Sequence, residues 1–384
     1  MEFSLSWILL GLPLAFALGW LASRFDLHQI RLENRQAPKA YFKGLNYLLN
    51  EQQDQAIDAF IEAVQKDPDT SELHFALGNL FRRRGEYERA VRVHEHLLSR
   101  GDLSQADRHR AQHALALDFL KAGLLDRAED ALNKLEGTTF ETEARLALLA
   151  NYERSRDWAL AAQVANKLES AKQGSFHQRL AHYLCEQAAE DVAHGRIDAA
   201  HARLQEAVIK APDAARARMA LAQLQADAGE LLAAQQTLLD AMAHAPTAIP
   251  LLAAPLADLA LRLGDRHQAL ERLQALYAQN ASLDVLDAIV KLSAGDTTAL
   301  TEREWYAQHL AHEPSLVAAT RWIAGEKFEH EQFHPQVQRA LDHAIKPLLR
   351  YRCAACGFEA TKHFWQCPGC QTWDSYPARR VEEL

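Results

Sequence analysis

Residues 44–68 read GLNYLLNEQQDQAIDAFIEAVQKDP, and residues 78–102 read GNLFRRRGEYERAVRVHEHLLSRGD. A shift of 34 residues aligns Gly44 with Gly78, Tyr47 with Phe81, Ala56 with Ala90, Phe60 with His94 and Ala63 with Leu97; Asp102 stands where Pro68 stood. Each stretch reads as two antiparallel helices joined by a tight turn, such as Gly85-Glu86-Tyr87. Alanine lets the paired backbones approach closely. Aromatic and leucine side chains fill the gap between neighbours, and proline ends the second helix. One such unit cannot bury its apolar face alone, so the units must stack.

The pattern continues outward. Phe119, Ala128, Leu132 and Leu135 mark the next unit, and Tyr152, Ala161 and Leu168 mark a degenerate one. Ala188, Ala200, Leu204, Ala207 and Pro212 follow, then Ala222, Ala234, Leu238, Ala241 and Pro246, and last Ala257, Ala269, Leu273 and Leu276. The key alanines, from Ala56 through Ala90, Ala128, Ala161, Ala200 and Ala234 to Ala269, are 34, 38, 33, 39, 34 and 35 residues apart. This spacing resembles the tetratricopeptide repeat family, with about seven units over 37–280. The resemblance implies a superhelix whose groove receives a peptide or a partner domain.

Composition agrees. The chain has 69 Ala among 384 residues but only 16 Gly and 12 Pro, which suits close-packed helices and not a sheet-rich fold. A net charge of -9 argues against a nucleic-acid binder. Five cysteines are too few for a disulfide-dense scaffold. Residues 281–350 read as divergent repeat or capping helices. Thr301 caps one start, with Glu304 at the third helical position. Pro314-Ser315 precedes a helix reaching about Ala324, and a third helix is expected from Pro335 to Leu349.

Residues Phe3 to Ser23 carry no charge and would span about 30 Å as a helix, enough to cross a bilayer core. Trp7 and Trp20 lie near its ends, where indoles prefer the interface. Ala15-Phe16-Ala17 could pass for a signal-peptidase site. Glu2, the lack of any preceding Lys or Arg, and the apolar run beyond that point favour a retained anchor over residues 1–23. Arg24, Arg31, Arg35, Lys39 and Lys43 outnumber Asp26 and Glu33, so 24–36 reads as a basic juxtamembrane linker that keeps the body cytoplasmic. Gly11, Ala15 and Gly19 form one smooth face suited to packing on another membrane helix.

The strongest chemical signal is C-terminal. Cys353-Ala354-Ala355-Cys356-Gly357 and Cys367-Pro368-Gly369-Cys370 are two C-x₂-C knuckles separated by a short hairpin. They can present four thiolates to one tetrahedral ion, zinc or iron. Gly357 and Gly369 are placed where tight turns need glycine. Tyr351, Phe358, Phe364, Trp365, Trp373 and Tyr376 are available to cover the site. Residues 351–384 resemble a rubredoxin-type ribbon, whose folding energy would come largely from the metal. Four sulfur ligands leave no open position for water or substrate, which makes the site structural.

Other motifs point to no chemistry. His330-Glu331-Gln332-Phe333-His334 matches the zincin pattern, but Pro335 follows at once and no third ligand suggests itself. His94, His96, His109 and His113 read as polar surface or groove positions, and Cys185 as a buried small hydrophobe. No phosphate-cradling loop or nucleophile signature is found, so no catalytic or cofactor-binding residue is expected.

Anchor, repeats and four-cysteine ribbon in this order resemble the lipopolysaccharide assembly protein B family of Gram-negative bacteria over essentially the full length. The fold class expected is therefore all-α, a tetratricopeptide-repeat superhelix with an N-terminal transmembrane helix and a small rubredoxin-like metal ribbon. The resemblance implies a non-enzymatic adaptor in the inner membrane. Its partners would be a membrane-anchored ATP-dependent protease, the lipid A-committing deacetylase that the protease degrades, and inner-membrane lipopolysaccharide sensor and assembly proteins. Nucleic acid is not among them, and self-association is compatible with the sequence. An assembly scaffold without a proteolytic role and a rubredoxin-like electron carrier are the alternatives.

Overall fold

Each helix pair of the array turns on a residue held at positive φ. In the computed structural model these are Glu51, Gly85, Gly123, Arg156, Gly195, Gly229 and Gly264. At Gly85 the φ of 84° ends one helix, and the amides of Gly85 and Glu86 satisfy the carbonyls of Arg82 and Phe81. Glu51 and Arg156 hold the same conformation at φ 59° without being glycine, which explains why these two turns carry no glycine signal.

The structure describes residues 16, 20, 42–67, 70–295, 300–324 and 334–384. Seven helix pairs occur among them: α1 (42–49) with α2 (Gln53–Lys66), α3 (Ser71–Arg84) with α4 (Tyr87–Ser99), α5 (Gln105–Ala122) with α6 (Leu125–Asn133), α7 (Glu141–Ser155) with α8 (Trp158–Ser170), α9 (His177–Ala193) with α10 (Ile197–Lys210), α11 (Ala215–Asp227) with α12 (Leu231–His244), and α13 (Ile249–Leu263) with α14 (Arg266–Gln279). Then come α15 (Leu283–Ser293), α16 (Glu302–His312), α17 (Leu316–Ala324), α18 (His334–Ile345) and two short antiparallel strands, β1 (Tyr351–Arg352) and β2 (Glu359–Ala360). The chain divides into two compact units, Met1–Val164 and Ala165–Leu384.

The seven key alanines all lie on the second helix of their pair and are buried, six of them completely. They are not the only points of close approach. A Cβ on Gly44 would come within 2.8 Å of the Phe60 ring, and one on Gly78 within 2.5 Å of the His94 imidazole. Each first-helix glycine is thus a socket for the bulky residue opposite. His94 is accordingly a core residue and not the polar surface or groove position its polarity suggested. It is fully buried, with Nδ1 2.5 Å from the Asp118 carboxylate, which also accepts from Arg82 at 2.8 Å. The shared Asp118 carboxylate lets the imidazole and the Arg82 guanidinium enter the core, although His94 Nε2 is left without a hydrogen-bond partner among the described residues.

In the second unit one core runs from α11 to α18, so α15–α18 share the hydrophobic interior of the last repeats. Thr301 and Glu304 form the expected capping box at α16. α18 starts at His334, one residue before Pro335, and ends at Ile345, short of the expected Leu349. Pro335 opens that helix, where its missing N–H costs nothing, and Pro347 disfavours continuing it. The other zincin-motif residues, 330–333, lie outside the described residues, as does Pro68.

The expected membrane anchor also lies outside them, apart from Phe16 and Trp20, which are helical and exposed. Among the described residues, the segment long and apolar enough to cross a bilayer is Pro246–Leu263, in mid-chain. It contains α13, whose Leu252, Ala253, Leu256, Ala257 and Ala260 are fully buried in the core of the second unit. Its apolar character therefore serves the repeat interior.

Candidate metal centre and its seat on the repeats

The two knuckles share one backbone design. The amide of Cys353 donates to the Phe358 carbonyl at 2.9 Å, and that of Cys367 to the Thr372 carbonyl at 2.9 Å. Gly357 donates back to the Cys353 carbonyl at 2.9 Å, and Gln371 to the Cys367 carbonyl at 2.8 Å. The residue after each second cysteine takes positive φ, 77° at Gly357 and 61° at Gln371. The sequence reading assigned the second turn to Gly369. Its backbone is ordinary there, and a Cβ would meet Phe358 at 3.4 Å, an unstrained contact. The hairpin β1–β2 encloses the first knuckle instead of separating the two, and a Gln366–Trp373 bridge closes the second.

These turns bring the Sγ atoms of Cys353, Cys356, Cys367 and Cys370 within 4.8 Å of one another. Cys353 and Cys370 are 3.8 Å apart, and Cys356 and Cys367 3.7 Å. A tetrahedron with metal–sulfur bonds of about 2.3 Å has edges of about 3.8 Å. The donor set therefore fits a zinc or iron ion. Ser375 Oγ lies 3.2 Å from the Cys353 sulfur, and Thr372 Oγ1 3.2 Å from that of Cys370. Such outer partners orient thiolate ligands. Cys353 and Cys367 are buried, Cys356 and Cys370 exposed. Cys185 is distant in sequence and buried on α9, where desolvation pushes its thiol up to about 11.

The ribbon aromatics divide their work. Tyr351 and Tyr376 are buried beside Cys353 and Cys367. The Tyr376 hydroxyl donates to the Phe358 carbonyl at 3.1 Å. His363, packed edge-on to Tyr351, Trp365 and Tyr376, has its pKa lowered by burial. Phe358 and Phe364 stay exposed. Trp373 reaches the repeats: it stacks on the His182 imidazole at 4.7 Å and meets Tyr183 edge-on at 6.0 Å.

His182 of α9 is the hub of this seat. Its Nε2 lies 2.9 Å from both carboxylate oxygens of Asp374, and its Nδ1 3.3 Å from Arg216 of α11. Arg216 also donates to Glu186 at 2.6 Å. The last residues of the ribbon fasten a second side. Arg380 forks onto Asp284 at 2.8–3.2 Å, donates to the Leu349 carbonyl at 2.8 Å and lies over the Tyr351 ring. Burial pushes the Tyr351 phenol up to about 12, aided by Asp284. Glu382 accepts from the Leu316 and Val317 amides at the start of α17, and Glu383 from the Leu283 amide at the start of α15. Negative charge at these helix starts is favourable.

The four cysteines were legible from spacing; His182, Arg216, Asp374 and the acidic tail were not. Individually these are ordinary polar residues, and the sole hint was a polar histidine amid the apolar run of α9.

Comparison with known proteins gives matches at three levels. A family model described as "Rubredoxin metal binding domain" matches residues 351–376, and one described as "Tetratricopeptide repeat" matches 43–93 and 185–248. A crystallised tetratricopeptide repeat protein from Parabacteroides merdae is 16% identical, with a TM-score of 0.35 over 67% of this chain and 99% of that one. Lipopolysaccharide assembly protein B of Escherichia coli K12 is 29% identical over 98% of this chain and 99% of its own length. The protein of the same name from Haemophilus influenzae is 28% identical over 96% of each chain. These relatives align from end to end, through repeats and ribbon alike, so the chain is similar over its full length to proteins named lipopolysaccharide assembly protein B.

Proposed function

We propose that the protein is a non-enzymatic inner-membrane adaptor that regulates lipopolysaccharide synthesis. Residues 1–23 anchor it, 24–36 form a basic linker that places the body on the cytoplasmic side, 37–280 are the repeats, 281–350 cap them and 351–384 are the ribbon. Cys353, Cys356, Cys367 and Cys370 hold one structural zinc or iron ion. The anchor sets the array beside a membrane-anchored ATP-dependent protease, and the repeats present the lipid A-committing deacetylase to it. High local concentration on the membrane then substitutes for intrinsic affinity.

The observation that carries this reading is the end-to-end similarity to proteins named for lipopolysaccharide assembly. The seat of the ribbon supports it. A metal module tied to helices by His182, Arg380, Glu382 and Glu383 acts as a staple for a binding surface. The same printed name favours a second reading, a scaffold for the assembly machinery with no part in proteolysis. The half-life of the deacetylase after translation is blocked separates them. It should lengthen markedly when this protein is depleted. An unchanged half-life would leave the scaffold reading.

A further inference from the structure

Within the second unit, a cleft of about 450 Å³ opens where the ribbon meets the repeats. Arg216, Met219 and Gln223 of α11, Pro255 and Arg262 of α13, and Trp365 of the ribbon line it. Its charges are not balanced. Arg216 is paired with Glu186, and Asp258 on the cleft wall is paired with Lys291. Arg262 makes one hydrogen bond, to the Ala226 carbonyl at 3.2 Å, and among the described residues it has no carboxylate partner. A guanidinium without a carboxylate partner thus stands in a cleft whose apolar walls include the Met219 thioether, the Pro255 ring and the Trp365 indole, beside the already paired Arg216 and Asp258.

We propose that this cleft docks a partner polypeptide segment presenting a carboxylate beside an apolar side chain. The carboxylate sits on Arg262, and the apolar group packs against Trp365 and Met219. A guanidinium has donors left over after one carbonyl, and its forked geometry suits a carboxylate. A basic segment would be repelled, and a wholly apolar one would strip water from Arg262 without replacing it. The cleft falls within the size range of ligand sites. Trp365 lies two residues before Cys367, so one wall belongs to the metal module and exists only while the ribbon is seated.

The inference deepens the adaptor reading and rests on it, but the two fail separately. The test selects a phage-displayed random peptide library on the metal-loaded full chain in detergent. Selected sequences should carry Asp or Glu next to Leu, Ile, Met or an aromatic residue. The best peptide should bind Arg262→Gln about tenfold more weakly or worse, the scale of one lost charge-assisted hydrogen bond. Arg262→Glu should shift selection toward Lys and Arg. Met219→Lys should also abolish binding; metal content and helicity, measured alongside, should stay unchanged. No enrichment, enrichment of neutral or basic sequences by the unaltered chain, or equal binding by Arg262→Gln would overturn the proposal. None of these outcomes would alter a deacetylase half-life that responds to depletion.

Discussion

His182 and Asp374, 192 residues apart in sequence, meet with the imidazole Nε2 2.9 Å from both carboxylate oxygens. The histidine is buried on α9, whereas Asp374 remains 41% exposed at the ribbon's edge. The ribbon is thus joined to the repeats by a polar contact with one foot in the core, stacked beneath the Trp373 indole.

That contact should be worth about 1–2 kcal/mol, since half of it is screened by solvent. Asp374→Asn, His182→Gln and the double variant form a cycle whose coupling energy, read from denaturant unfolding, measures it. Protease cleavage between α18 and the ribbon should quicken in each single variant. Strictly additive effects would show that the pair is not coupled.

Replacing Cys353 with Ser removes a buried sulfur from the four-thiolate set. Metal bound per chain should fall sharply, and limited proteolysis should attack the ribbon first, because a module this small draws much of its folding energy from the ion. The repeat helices should keep their circular dichroism. An unchanged metal ratio and digestion pattern would contradict a structural role. Colour in the loaded protein would identify iron, and its lack zinc.

Gly78→Ala forces a methyl into the His94 ring, which cannot retreat while it holds Asp118. A loss of about 2–3 kcal/mol is expected from this overpacking. Gly101→Ala, where the methyl would meet nothing within 4 Å, is the control and should change little. Equal unfolding midpoints for the two variants would mean that the socket is soft.

Glu382→Ala removes the carboxylate that receives the first amides of α17. The helix start should lose about 1–2 kcal/mol, the range for a lost cap. Hydrogen exchange at Leu316 and Val317 should accelerate more than exchange at the centre of α15.

Stability should fall as the solution is acidified below the ordinary histidine value of 6.5. Burial lowers the pKa of His309, and of His74, His113 and His363. The folded chain then binds fewer protons than the unfolded chain below that value, so stability is fully present above about 6.5 and is lost as pH falls toward the folded pKa values. His309 also lies with Nδ1 2.5 Å from the Tyr277 hydroxyl, which donates to the neutral ring. Comparing unfolding midpoints at pH 7.5 and pH 5.5 checks this; His309→Gln should flatten the difference.

Much of the fold is legible in the chain because a repeat writes the same packing rule many times. Ala56, Ala90 and their successors announce close helix contacts by spacing alone, and Cys353, Cys356, Cys367 and Cys370 announce a tetrahedral site, since both signals depend on residues near one another in sequence. The turn at Arg156 escaped because a left-handed residue that is not glycine leaves no compositional trace. His94 escaped because burial of a polar side chain depends on partners, and Asp118 belongs to the next helix pair. The tertiary structure alone decided that Trp373 stacks on His182, that the acidic tail caps α15 and α17, and that Trp365 walls a cleft beside Arg262. Those contacts join distant segments of the chain. Their energies come from complementarity between surfaces that exist only after the helices have stacked.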